Sequence, residues 1–269
     1  MDSETNTTTG FIKNKGVCDG YGIWVVRGSG VKDFHKEVKV MKTIGLIGGM
    51  SWESTVPYYK IINEEISKSL GGLHSAKIVL YSVNFDELNE CLNTENWDKI
   101  SDILGEAAKK LQDFGSDFIL ICTNTMHKVA PIIQERISVP IVHIADATGD
   151  EIVKRGFRKV ALLGTKFTMT QDFYTKRLHE KGLEVMIPDQ DEIVTINDII
   201  FKELCAGTFR EESRQKYTDI IRRLQMEGAE AVIFGCTEIG LLLDQKDCDI
   251  PVFDTTVVHA KKAAEMALK

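Results

Sequence analysis

The sequence has no unbroken apolar run approaching the ~18–20 residues that a membrane-spanning helix needs, which argues against a membrane protein. It has no excess of positive charge. Its 33 Lys and Arg face 40 Asp and Glu, a net charge of −7. That argues against a nucleic-acid partner, which favours basic surfaces, but leaves a local site free to oppose the global sign. It has no C-x-x-C pair. Cys18, Cys91, Cys122, Cys205, Cys236 and Cys248 are scattered, which speaks against a zinc site or a thioredoxin-like motif. No basic segment precedes a long apolar one near the start, so no secretory signal is expected. The thiols are then expected to be free, in a reducing cytoplasm. "GLIGGM" resembles a phosphate-binding loop only loosely, lacking both G-x-x-x-x-G-K-S/T and G-x-G-x-x-G, so the case for nucleotide binding is weak. Its glycines are expected to let backbone approach a small ligand.

What remains is an ordinary globular composition, 43% hydrophobic and 27% charged, long enough for one large domain or two of moderate size. Residues 1–40 are polar and glycine-rich, and we expect a mostly disordered extension there. Organised sequence begins at Met41. Short apolar runs ("KTIGLIG", "AKIVLYSV", "DFILIC", "VPIVHI") then alternate with helical stretches, the signature of a parallel sheet covered on both faces. The pattern repeats. "KVALLGT" resembles "TIGLIGG", "AEAVIFGCTEIG" resembles "SDFILICTNTMH", and "CDIPVFDTT" resembles "ISVPIVHIA". Gly48 and Gly164, Thr123 and Cys236, and Pro140 and Pro251 are separated by 116, 113 and 111 positions, which suggests an internal duplication. The expected fold is α/β: two similar lobes with mostly parallel sheets, 41–147 and 148–254. A helix over 255–269 is expected to pack back on the first lobe.

Duplication predicts the site. Ligands of open α/β sheets bind beyond the carboxyl ends of the strands, and here "CTNT" and "GCTE" both end strands and would face each other across a cleft. Cys236, near a helix start, is a candidate base or nucleophile, because such positions lower a thiol's pKa. Its plainer alternative is a buried strand-end cysteine. The repeat aligns Thr123, not Cys122, with Cys236. Side chains alternate along a strand, so Cys122 is expected to pack and Thr123 to face the cleft. Asn124, Thr125 and Thr237 are either turn and cap residues or hydrogen-bonding partners for an amino acid's carboxylate and amine. His74, His127 and His143 have no metal spacing and are expected at the surface or in the core. The charged stretch "REESRQKYTDIIRRLQMEG" reads as a solvated helix face.

"GLIGGMSWEST", "CTNTMHK", "LLGT" and "FGCTEIG", in this order and spacing, resemble the aspartate/glutamate racemase family over nearly all of 41–269. The resemblance implies a reaction without pyridoxal, metal or organic cofactor. One group removes the α-proton of an amino acid, aspartate or glutamate foremost, and another returns a proton on the opposite face. It also implies a homodimer, a catalytic role for Cys236, and substrate contact by Met50. The family pattern has cysteine immediately before Asn-Thr, whereas here that place is Thr123. A hydroxyl is a far poorer base than a thiol but can donate or relay a proton, so unequal behaviour toward the two enantiomers is expected. Related aspartate racemases often carry a lysine where Cys205 stands. Lys166 and Lys202 are near in sequence but not equivalent, so recognition of a second carboxylate must use other groups or specificity is broader. The alternatives are a decarboxylase or diacid isomerase of the same superfamily, or a non-catalytic amino-acid-binding protein.

Overall fold

The computed structural model describes residues 40–269. The expectation for the extension therefore lies, apart from Val40, outside the described residues. The first sheet holds β1 (Ile44–Gly48), β2 (Ile78–Ser82) and β3 (Phe118–Ile121), all parallel, in the order β2-β1-β3. The second holds β4 (Lys159–Gly164), β5 (Glu184–Met186), β6 (Ala231–Gly235) and β7 (Val252–Asp254), also parallel, in the order β5-β4-β6-β7. The two orders are the same once a single bridge, Ile119 to Ile141, is counted as the first sheet's fourth position. The sequence repeat is thus a repeat of topology.

The segment "VPIVHI", expected as a strand, makes only that bridge. Its outward backbone groups are taken by a side chain instead. Gln134 accepts from the Ile141 N–H at 2.8 Å and donates to the Val139 carbonyl at 3.0 Å. Gln245 does the same for β7, accepting from the Val252 N–H at 2.9 Å and donating to the Ile250 carbonyl at 3.1 Å. A glutamine amide carries the donor and acceptor that an edge strand leaves unpaired, and it blunts that edge.

Eleven helices connect the strands among the described residues. In the first lobe they are α1 (Trp52–Leu70), α2 (Phe85–Asn93), α3 (Trp97–Asp113) and α4 (Ala130–Gln134). Then come α5 (Ile144–Lys154), α6 (Lys166–Thr170), α7 (Asp172–Glu180), α8 (Gln190–Lys202), α9 (Glu211–Met226), α10 (Ile239–Leu242) and α11 (Thr255–Ala267). α1 begins at Ser51, whose hydroxyl accepts from the Ser54 N–H, and stops where Gly71 takes a positive φ of 75°. The 147/148 boundary read from the sequence falls inside α5, whose Ile144, Ala145 and Ile152 belong to the second lobe's core. α11 lays Ala260, Ala263, Ala264 and Ala267 against Tyr58, Ile62 and Ile66 of α1. The charged stretch forms α9, but only one face is solvated, since Tyr217, Ile220, Ile221 and Leu224 are buried. No described helix is long and apolar enough to cross a membrane.

Within the second sheet, β4 and β6 leave little room between them at their carboxyl ends. Gly164 pairs with Gly235 across β4 and β6, and a Cβ on Gly164 would lie 2.6 Å from the Gly235 carbonyl oxygen. Backbone cannot swing aside as a flexible side chain can. Gly164→Ala is expected to cost about 1–3 kcal/mol in chemical denaturation, the range of core overpacking, and to lower activity further by displacing the residue that follows Gly235.

Candidate active site

That following residue is Cys236. It leaves β6 and turns into a four-residue helix, α10, with its side chain only 7% exposed. Its thiol donates to Glu238 Oε2 at 3.0 Å. Thr237 Oγ1 donates to the same oxygen at 2.8 Å, and Ser51 Oγ donates from the first lobe to Glu238 Oε1 at 3.1 Å. Glu238 is 3% exposed. A buried carboxylate with three donors and no cation among them is costly to keep unless it is used.

The direction of the Cys236 pKa reverses the expectation drawn from its place near a helix start. Burial, then the charge of Glu238, pushes the thiol well above its ordinary value. α10 is too short to offset this. Cys236 therefore rests as a protonated thiol, with Glu238 as its hydrogen-bond acceptor. Glu238, like Ser51, escaped the sequence reading. The available signal was an acid two residues after the cysteine in a repeated strand-end loop.

Across the cleft, β3 ends at Ile121. Cys122 is fully buried in the core formed with α1 and α11, and burial raises its thiol pKa far above ordinary. Thr123, partly exposed, lines the same pocket as Cys236. Met50, Asn124, Thr125 and Glu238 line it too. Thr237 meets it through Glu238. Gly48 and Gly49 do not approach open space as expected: a Cβ on either would collide with Thr55 or Val83.

Asn124 is 2% exposed and its orientation is fixed by its neighbours. Thr255 Oγ1 donates to the Phe234 carbonyl at 2.8 Å, so it must accept from Asn124 Nδ2 at 3.0 Å. Asn124 Oδ1 is then left buried without a partner, on a residue that lines the pocket. It is an acceptor suited to an ammonium group. Thr125 Oγ1 and Thr165 Oγ1 lie 2.9 Å apart and join the lobes, as do Asn124–Thr255 and Ser51–Glu238.

Behind Thr123 lie three buried imidazoles. His127 Nδ1–H donates to the Thr123 carbonyl at 2.8 Å, and its Nε2 accepts from the Ile144 N–H at 3.2 Å. His259 Nε2–H donates to the Val142 carbonyl at 2.8 Å, and its Nδ1 accepts from the Tyr58 hydroxyl at 3.0 Å. The His143 ring centroid is 4.5 Å from that of His127. Burial lowers all three pKa values, to about 4 for His127, to about 3 for His259, and further for His143. His127 and His143 are thus core histidines, and no group of described residues is arranged to hold a metal ion.

The space open to water centres in this pocket is about 20 Å³, room for one water. A roomier groove of about 520 Å³ lies between α5 and α11 but contains none of the predicted site residues.

The Asp/Glu/hydantoin racemase family model matches residues 47–263. The chain belongs to that family. A broad-specificity amino-acid racemase, RacX, of Bacillus subtilis is 26% identical over 232 residues, covering 84% of this chain and 98% of that one. A solved Asp/Glu racemase of Yersinia pestis is 50% identical with a TM-score of 0.80, covering 85% of this chain and all of that one. An aspartate racemase homologue of Pyrococcus horikoshii is 43% identical with a TM-score of 0.73 and the same coverage. The protein is an amino-acid racemase, an isomerase. Within it, Glu238→Gln is expected to keep the carbonyl acceptor but lose the base. kcat should fall by roughly 10²–10³ with little change in KM, measured by steady-state racemisation.

Proposed function

We propose that this racemase inverts its substrate by proton transfer on two faces, with Cys236 on one side of Cα and Thr123 on the other. The observation that carries this reading is that the two residues end corresponding strands of the two lobes and line one pocket. Glu238 takes the Cys236 proton, and the resulting thiolate removes the α-hydrogen. Cys236 is then a thiol again, and the electron pair spreads into the substrate carboxylate. Thr123 passes a proton to the opposite face, and water carries the proton held by Glu238 back to Thr123, which restores the starting state. The unpartnered Asn124 Oδ1 receives the α-ammonium, Thr125 and Met50 complete the walls, and Thr237 acts through the hydrogen bond by which it holds Glu238. Positioned hydrogen-bond partners lower the energy of the carbanion-like state more than that of the bound substrate.

A space of about 20 Å³ is far below the ~300 Å³ at which ligand pockets begin. Binding therefore requires the lobes to part, which breaks the Thr125–Thr165 and Ser51–Glu238 hydrogen bonds. Refilling the cleft with an amino acid excludes water again.

Aspartate and glutamate, named for several relatives, are the first substrates to test. In D₂O, the reading expects deuterium at Cα of the inverted product. Tight binding of amino acids without exchange would favour a non-catalytic binding protein. The same reading includes a cytoplasmic homodimer. Supports are the free cysteines among the described residues and an exposed stripe of Trp52, Val56 and Tyr59 on α1. Sedimentation velocity at micromolar concentration tests the pairing.

A further inference from the structure

The walls of the cleft divide into two kinds. Thr123, Asn124, Thr125, Thr165 and Glu238 offer hydrogen-bonding groups. Met50, Phe85, Leu92, Met126, Ile200 and Phe201 offer none, and half-buried Cys205 completes this apolar side. No lysine, arginine or histidine is among the lining residues. The cations near these segments in sequence are engaged elsewhere or point to water. Lys128 Nζ sits 3.9 Å over the Trp97 ring, Arg177 pairs with Asp146 at 2.6 Å, and Lys202 pairs with Asp198 at 2.8 Å. Lys166 is exposed.

Every α-amino acid brings the same ammonium and carboxylate, and the polar walls must serve both. Substrates differ only in the side chain. A side-chain carboxylate entering this cleft would leave water for an apolar wall with no cation to meet it, and the charge it would share the space with is the carboxylate of Glu238. A neutral aliphatic side chain loses no hydration of that kind and gains by burial.

We infer that the cleft selects amino acids with uncharged aliphatic side chains over aspartate and glutamate, because its side-chain wall is apolar and holds no cation. This rests on the racemase reading above. It narrows the substrate class beyond what the relatives' names convey.

The test is a panel of L-methionine, L-leucine, L-aspartate and L-glutamate with the full chain, reading Cα deuterium exchange and inversion. Methionine or leucine is expected to exceed both diacids in kcat/KM by at least tenfold. Cys205→Lys and Phe201→Lys each place a cation at a partly exposed edge of the apolar wall, where its stem can pack while its charge stays hydrated. At least one is expected to shift the diacid-to-methionine ratio by tenfold or more toward the diacid. A diacid processed as fast as methionine and leucine by the unmodified chain overturns this inference and leaves the racemase reading intact. An unmoved ratio in both folded variants also overturns it. Exchange with no amino acid overturns both.

Discussion

Cys236→Ala is expected to abolish Cα exchange, lowering kcat/KM by roughly a thousandfold or more, while the fold survives. The argument is one of chemistry and of surroundings. The α-hydrogen is weakly acidic, so a working base must be strong when it acts yet protonated at rest. The buried thiol fits, because its pKa is held high by burial first and by Glu238 second. Alanine leaves Glu238 without its 3.0 Å donor but keeps those from Thr237 and Ser51. Stability should therefore change little beside the loss of rate. Cys236→Ser is the sharper probe. It restores a donor to Glu238 but offers an alkoxide instead of a thiolate, so activity should stay within about tenfold of Cys236→Ala. Cys122→Ala should retain activity, since Cys122 faces the α1–α11 core.

The second large effect is on stability at acid pH. His127, His143 and His259 are buried, and their folded-state pKa values lie below the ordinary 6.5. The unfolded chain therefore binds more protons than the folded one below that value. Their contribution is fully present above pH 6.5. It is lost as pH falls, through about 4 for His127 and about 3 for His259. The hydrogen bonds give the reason. Each ring nitrogen of His127 and of His259 already has a partner, and a proton on His127 Nε2 would face the Ile144 N–H. With up to three protons taken up on unfolding, stability should fall by as much as ~4 kcal/mol per pH unit below pH 6. A typical margin of 5–15 kcal/mol is then exhausted within a few units. Urea titrations between pH 7 and pH 4.5 should show this slope, and His259→Gln should reduce it by about one proton. A flat profile over that range would contradict the assignment.

Much of the fold was legible because the chain states it twice. Alternating apolar runs and helical stretches gave parallel sheets. The matched positions at Gly48 and Gly164, and at Pro140 and Pro251, foretold two sheets of one topology. Alternation of side chains along β3 likewise separated Cys122 from Thr123. What stayed hidden depends on side chains meeting across distance. Ser51 reaches Glu238 over 187 positions, and Tyr58 reaches His259 over 201. No local pattern records either contact. The strand expected over "VPIVHI" is reduced to a single bridge to β3, with Gln134 holding its outer edge as Gln245 holds that of β7. The thiol pKa was misjudged for a physical reason: helix proximity is visible in sequence, whereas burial beside a carboxylate is not, and burial is the larger effect.

The most direct test of two-sided transfer is Thr123→Ala, assayed in D₂O with mass and chirality read on the same product. With Cys236 intact and the opposite donor removed, one enantiomer should still exchange its α-hydrogen from the Cys236 face while inversion falls by roughly a hundredfold or more. Inversion at the unmodified rate would remove Thr123 from the mechanism and contradict the account.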